Sequence, residues 1–230
     1  MDNVEFYVIN LDKNKDRYTK ISESLTNVTT KHTRIRAVDG YDLKNDNFCK
    51  DILQCNETLL GTIFSSDHIN DTWLYDGTID KSFPGLQSNG HYGYKGLTMS
   101  NLKCFEQFQR NTLKGIEWLC VLEDDAVIDD KVIKSIGNLI KTGNVFDVAL
   151  LDKRANGWGG TAGMLYHKRI IPHIYKNLHP LSEFSSDWVN ERLTNLWDWM
   201  LWRYLRTFDV KFTNLPIIDS GRYPSTISVS

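Results

Sequence analysis

The feature that most constrains the fold of this chain is a repeated switch between strand-like and helix-like patterning. The segment "EFYVINL" (Glu5 to Leu11) is rich in β-formers, and "DKNKDRYTKISESL" after it carries Tyr18, Ile21 and Leu25 at helical spacing. A short strand, "TRIRAVDG", closes on the turn pair Asp39-Gly40. Helical order returns in "GLTMSNLKCFEQFQRNTLKG", where Leu102, Phe105 and Phe108 share a face, Thr98 or Ser100 serves as the N-cap, and Gly115 closes the end. The strand "WLCVLEDD" follows, then a helix carrying Val132, Ile136, Leu139 and Ile140 that ends near Gly143, then the strand "FDVALL". Strands that alternate with helices predict an α/β fold, a mostly parallel central sheet flanked by helices on both faces. In such sheets ligands bind beyond the carboxyl ends of the strands, where Asp39 and the acids at 123 to 125 fall.

At 230 residues the chain has the length for one sizeable core, so a single domain over 1–230 is expected. Between about 41 and 95 the periodicity fades into Asn, Asp, Gly and aromatic residues, which reads as a long irregular insertion. The loop "DKRANGWGGTAG" is glycine-rich, but "MLYHKR" after it reads as a strand continuing from Thr161, so it is not a dinucleotide fingerprint. Its glycines either allow close approach of backbone to a ligand or form a turn. Late in the chain, "LWDWMLWRYLRTFD" puts Trp197, Leu201, Tyr204, Leu205 and Phe208 on one helical stripe, with Asp198 at the helix start.

Composition removes several function classes. A formal charge of -2 and the lack of a basic block beyond Arg34 and Arg36 argue against a nucleic-acid partner. No stretch reaches the ~18 to 20 apolar residues of a membrane span. Met1 leads almost directly into the first strand without a signal-peptide layout, so a cytoplasmic location is expected. The four cysteines contain no C-x-x-C pair and make zinc an unsuitable metal.

The chemistry concentrates in "VLEDDAVI", where an apolar strand runs straight into Glu123, Asp124 and Asp125. Like charges about 4 Å apart repel by roughly 1 to 4 kcal/mol, so a positive partner is expected there. In an extended chain Glu123 and Asp125 project to one side and Asp124 to the other. Two carboxylates without His or Cys suit Mn²⁺ or Mg²⁺, ions that keep positions open for water or substrate phosphate. The competing account is a solvated acidic turn.

The order of "YVINLDKNKDR", "RAVDG", "GLTMSNLKCFEQF", "VLEDDAVI", "GGTAGMLYHKR" and "WDWML" resembles glycosyltransferase family 25, the group of lipooligosaccharide and collagen galactosyltransferases, over nearly the whole chain. The resemblance implies a GT-A fold with a Rossmann-like nucleotide-sugar site, a nucleotide-sugar donor such as a UDP-hexose, and a divalent metal at the acidic motif. It implies a metal bound through Glu123, Asp124 and Asp125, of which the extended reading gives Glu123 and Asp125 to the metal and leaves Asp124 beside the donor. Asn10, Leu11, Arg17 and Asp39 would line the nucleoside pocket, with Ser100 at a helix start near the donor and Gly160 and Thr161 in the glycine loop. Trp158 in that loop is placed to stack on a sugar ring. The family commonly has His after the serine of the helix before the acids, where this chain has Asn101.

Transfer with inversion to a saccharide or other hydroxyl acceptor needs a base, and a carboxylate is the usual choice. Asp198 is the candidate, with Asp187 and Asp219 in reserve; a helix N-cap explains Asp198 equally well. Two other readings use the same acids: a non-catalytic nucleotide-sugar-binding module, and a metal-dependent phosphohydrolase or nucleotidyltransferase.

Overall fold

The computed structural model describes residues 1–28, 32–49, 90–111, 115–142, 145–154, 160–178, 201, 205 and 208–220. These contain strands β1 (Val4–Asn10), β2 (His32–Arg36), β3 (Trp118–Glu123), β4 (Val148–Asp152), β5 (Gly163–His167) and β6 (Phe212–Ile218). Helices α1 (Lys15–Val28), α2 (Gly90–Asn111), α3 (Asp130–Lys141) and α4 (Ile171–Leu178) accompany them. The strands form one six-stranded sheet in the order β2-β1-β3-β5-β4-β6.

The pairings β1 with β2, β1 with β3 and β4 with β6 are parallel, while β5 runs antiparallel to both β3 and β4. The exception follows from connection length. β4 and β5 are joined through residues 153–162, a connection shorter than the dozen or more residues that a crossover to a parallel neighbour requires. The expected mostly parallel sheet flanked by helices is therefore present, with β5 reversed.

Both faces are buried, as the continuous apolar strands require. On β1, Phe6 and Val8 face one core with Cys120, Leu122 and the α3 residues Val132, Ile133 and Ile136. Tyr7 and Ile9 face the other with Val121 and the α2 residues Leu102, Phe105 and Phe108. Phe105 meets Tyr166 of β5 edge-on, with ring centroids 4.9 Å apart. Asp129 caps α3 by accepting from the Val132 N–H at 2.9 Å.

Several boundaries differ from the sequence reading. α2 begins at Gly90, so neither Thr98 nor Ser100 caps it and Ser100 lies mid-helix. The weakly periodic "GHYGYKG" hides this helical extension, because its glycines lower propensity without preventing helix formation against the core. β2 stops at Arg36, and Asp39 lies in the connector before a 3-10 turn at Gly40–Asn45. α4 and β6 were not anticipated; β6 is an edge strand with alternating exposure and a proline, Pro216, both of which weaken a strand signal. Phe208 sits in a turn and is 44% exposed rather than on a helical stripe. Most of the insertion at 41–95, with Trp158, Asp187 and Asp198, lies outside the described residues. Among the described residues no helix is long and apolar enough to cross a membrane.

Candidate functional site

β1 and β3 are parallel neighbours in register Ile9 to Glu123, so both strands finish at one level of the sheet. Asn10 ends β1 and Glu123 ends β3. A cleft opens there. Ile9, Leu11, Ala37, Val38 and Leu97 give it an apolar wall, and Lys13, Asp39, Ser100, Glu123 and Asp124 give it polar groups. Leu11, Asp39, Ser100, Glu123 and Asp124, all selected from sequence, thus share one cleft.

Two backbone details shape this wall. The Ser100 hydroxyl donates to the Gly96 carbonyl at 2.6 Å and accepts from the Val38 N–H at 2.8 Å, clamping α2 to the connector after β2. A Cβ on Gly96 would come within 2.5 Å of the Val38 carbonyl oxygen and 2.8 Å of the Gly40 nitrogen, so the approach needs glycine. Gly96 carries no sequence signal of close packing, because it is one of three glycines in the weakly periodic "GHYGYKG" and nothing distinguishes it from the other two. Asp39 is paired with Lys13 at 3.1 Å on the cleft rim.

The middle acid turns toward β1. Asp124 Oδ2 accepts from the Asn10 amide at 2.7 Å and Oδ1 from Arg17 Nη1 at 3.3 Å. Asn10 is buried, and its side chain is held from two further directions: its amide also reaches the Asn14 carbonyl at 2.9 Å, and its Oδ1 accepts from Arg34 Nε at 2.9 Å. Arg34 in turn reaches Asp12 at 2.7 Å and lies over the Tyr18 ring. Asn10 and Arg17 therefore act here as supports of Asp124. The positive partner expected at the acidic run is, for Asp124, a side chain of the protein.

Glu123 is held from the other side. Glu123 Oε1 accepts from the Thr161 hydroxyl at 2.9 Å, and the Glu123 N–H donates to the Ala162 carbonyl at 3.0 Å. Burial, reinforced by the negative charge of Asp125, pushes the Glu123 carboxyl up to about 7, against the opposing pull of Thr161 and Arg154. Asp125 adds negative charge to Glu123 while Asp124 bonds toward β1, but not through the extended alternation expected from the sequence: β3 ends at Glu123, and Asp124 and Asp125 form a turn closed by the Ala126 N–H on the Glu123 carbonyl at 3.1 Å. Gly160, immediately before Thr161, has φ of 93°, a conformation that favours glycine.

Beside this pair lies a group the sequence reading did not select. Asp152, fully buried at the end of β4, accepts from Arg154 Nη2 at 2.8 Å and from the Ala162 N–H at 2.9 Å. An acid closing the apolar run "VALLD", with Arg two residues on, is the signal that marks it. Asp219 is ion-paired with Lys153 at 2.7 Å. Among the described residues no group of three or more His, Cys, Asp or Glu side chains is arranged to hold a metal ion. Glu123 and Asp125 remain a two-carboxylate set whose mutual repulsion a hard cation would relieve, and Mg²⁺ or Mn²⁺ sites are commonly built from one or two carboxylates plus substrate phosphates.

The profile of glycosyltransferase family 25 (LPS biosynthesis protein) matches residues 3–159. Among solved structures, a glycosyltransferase involved in the glycosylation of the major capsid of PBCV-1 is similar with a TM-score of 0.46 and 9% identity, over 96% of this chain and 94% of that one. No curated protein matches.

Proposed function

Since the chain belongs to glycosyltransferase family 25 and is a glycosyltransferase, we propose that it moves a hexose from a UDP-sugar donor to a hydroxyl of a saccharide or other acceptor, with inversion and with a divalent cation. The observation that carries this reading is the cleft at the ends of β1 and β3, which joins an apolar wall to Asp39 and to the acidic motif. An apolar slot suits a flat base. Asp39 at its rim suits a ribose hydroxyl, and the strand ends are where ligands of such sheets bind.

Within this reading Leu11 and the Val38 connector, fixed by Ser100 and Gly96, form the nucleoside wall. Asn10 and Arg17 hold Asp124 in place on the donor side. Glu123 and Asp125 would hold Mn²⁺ or Mg²⁺, with Thr161 orienting Glu123. Such a cation supplies positive charge against the charge that develops on the departing diphosphate. Trp158 in the glycine loop would stack on the sugar, and Asp198 would take the proton from the acceptor hydroxyl.

Incubation with UDP-sugars, Mn²⁺ and candidate acceptors tests the proposal by its product. A glycoside supports transfer; sugar phosphate with nucleotide points to a phosphohydrolase or nucleotidyltransferase, and binding without product to a non-catalytic module. Chelation with EDTA should weaken UDP binding markedly, and equal affinity with and without EDTA would refute the cation. Asp198→Asn should lower turnover by about 10² or more with donor binding nearly intact. Wild-type turnover in that variant would reduce Asp198 to a helix cap.

A further inference from the structure

We propose that Arg154 binds the diphosphate of the donor, with the buried Asp152 as the residue that positions it. The assignment rests on the nucleotide-sugar reading above. Asp152 is fully buried at the end of β4 while the Arg154 side chain is 55% exposed, so the pair presents a guanidinium to solvent from a rigid base. The attachment is many-sided. Arg154 Nε lies 3.2 Å and 3.3 Å from the two Asp152 oxygens, Nη2 lies 2.8 Å from Oδ2, and the Arg154 N–H donates to Oδ1 at 2.8 Å.

A guanidinium has five N–H donors in a fixed plane. Asp152 engages it through Nε and Nη2, and neither Nη1 nor the second N–H of Nη2 takes part in that pairing. Fixing the plane in advance removes much of the entropy that a mobile side chain loses on meeting an anion, and a fork matches phosphate oxygens better than an ammonium does.

The position is as informative as the geometry. Residues 161 and 162 serve both acids: the Thr161 hydroxyl donates to Glu123, the Ala162 carbonyl accepts from the Glu123 N–H, and the Ala162 N–H donates to Asp152. Arg154 is therefore anchored to the same short segment that orients the acidic motif, and its charge acts on both Glu123 and Asp125. A diphosphate arriving at a site with several carboxylates needs fixed positive charge of the protein's own, and Arg154 is placed to supply it.

The test is calorimetry on the full chain with Mn²⁺ present, using UDP, GDP and ADP, their parent nucleosides, and inorganic pyrophosphate. Arg154→Gln should weaken the bound diphosphate and pyrophosphate by about tenfold or more and leave nucleoside affinity unchanged. Arg154→Lys, which keeps the charge and loses the fork, should fall between wild type and Arg154→Gln. Asp152→Asn should weaken diphosphate binding without affecting the nucleoside; if removing a buried charge unfolds this variant, the two Arg154 variants still decide. A wild-type diphosphate affinity in Arg154→Gln would overturn the proposal and leave Arg154 as a countercharge for Asp152. A wild-type protein that binds none of these nucleotides would overturn the nucleotide-sugar reading itself, and this inference with it.

Discussion

Glu123 and Asp124 are neighbours in sequence and line one cleft, yet their carboxylates are held from different flanks of it. Asp124 faces the β1 side, where both of its oxygens are met by Asn10 and Arg17, and both members of the ion pair are largely buried at 14% and 12% exposure. Glu123 faces the β4 and β5 side, where a neutral hydroxyl holds it and Asp125 adds negative charge nearby. One flank has its charges matched by the protein. The other keeps a carboxyl displaced to about 7, a state that a bound cation would relieve. β3 stops at Glu123 and the turn that follows carries Asp124 to the β1 side, so consecutive acids at a strand end serve different neighbours.

The largest effect should come from breaking the matched flank. Arg17→Ala leaves Asp124 largely buried without its cation, and removing one partner of a buried pair costs about 2 to 4 kcal/mol. Urea unfolding should show this loss, and adding Asp124→Asn should recover part of it by removing the orphaned charge. A loss under about 0.5 kcal/mol, the range of ordinary surface changes, would mean that the two flanks do not differ as argued.

The second effect tests the other flank through pH. Glu123 is raised from 4.5 to about 7 in the folded protein, so the native state holds this proton more tightly than the unfolded chain. The resulting stability is fully present below pH 4.5 and is lost as pH rises toward and through 7, on the order of 3 kcal/mol in all. Glu123→Gln removes this titration. The difference between wild-type and variant unfolding free energies, followed from pH 4 to 8 without metal, should therefore change across that window. Parallel curves would show Glu123 to be an ordinary surface acid.

The contrast between flanks was partly legible in the sequence. "VLEDDAVI" announces a strand that ends in acids, but the strand stops at Glu123, and a turn at Asp124 and Asp125, rather than the expected extended geometry, separates Asp124 from Glu123. What Asp124 meets was not legible, since Arg17 stands 107 residues away and comes near only through the parallel pairing of β1 with β3. Ser100 lies in the pre-acid helix, but its hydroxyl does different work from the expected cap because the helix starts at Gly90. The reversal of β5 and the pairing of Asp152 with Arg154 depend on how the 153–162 connection turns, which periodicity does not encode.

A third and smaller effect extends the scaffold side. Gly96→Ala gains helix propensity but drives a Cβ against the Val38 carbonyl and the Gly40 nitrogen, and backbone there yields only by moving the connector that carries Asp39. A net loss of about 1 to 2 kcal/mol is expected, together with weaker UDP binding. Unchanged stability and affinity would show that the clamp between α2 and the connector is loose.

The smallest stability effect is the one that separates chemistry from scaffold most cleanly. Asp125→Asn keeps the side chain's size and removes the charge that helps push Glu123 upward. With less like-charge repulsion the metal-free protein should lose no stability at neutral pH and should gain a little, under about 1 kcal/mol. Activity should nevertheless collapse. The rise in melting temperature given by Mn²⁺ plus UDP should shrink as well, because a ligand stabilises only through its affinity for the native state. Arg17→Ala provides the opposite pattern, a large loss of stability from the matched flank. If Asp125 belonged to the scaffold as Asp124 does, Asp125→Asn would follow that second pattern, melting lower while the ligand-induced shift stayed intact. Melts of wild type and both variants, each with and without Mn²⁺ and UDP, place Asp125 on one side or the other, and a destabilised Asp125→Asn with an undiminished shift would remove it from the proposed cation site.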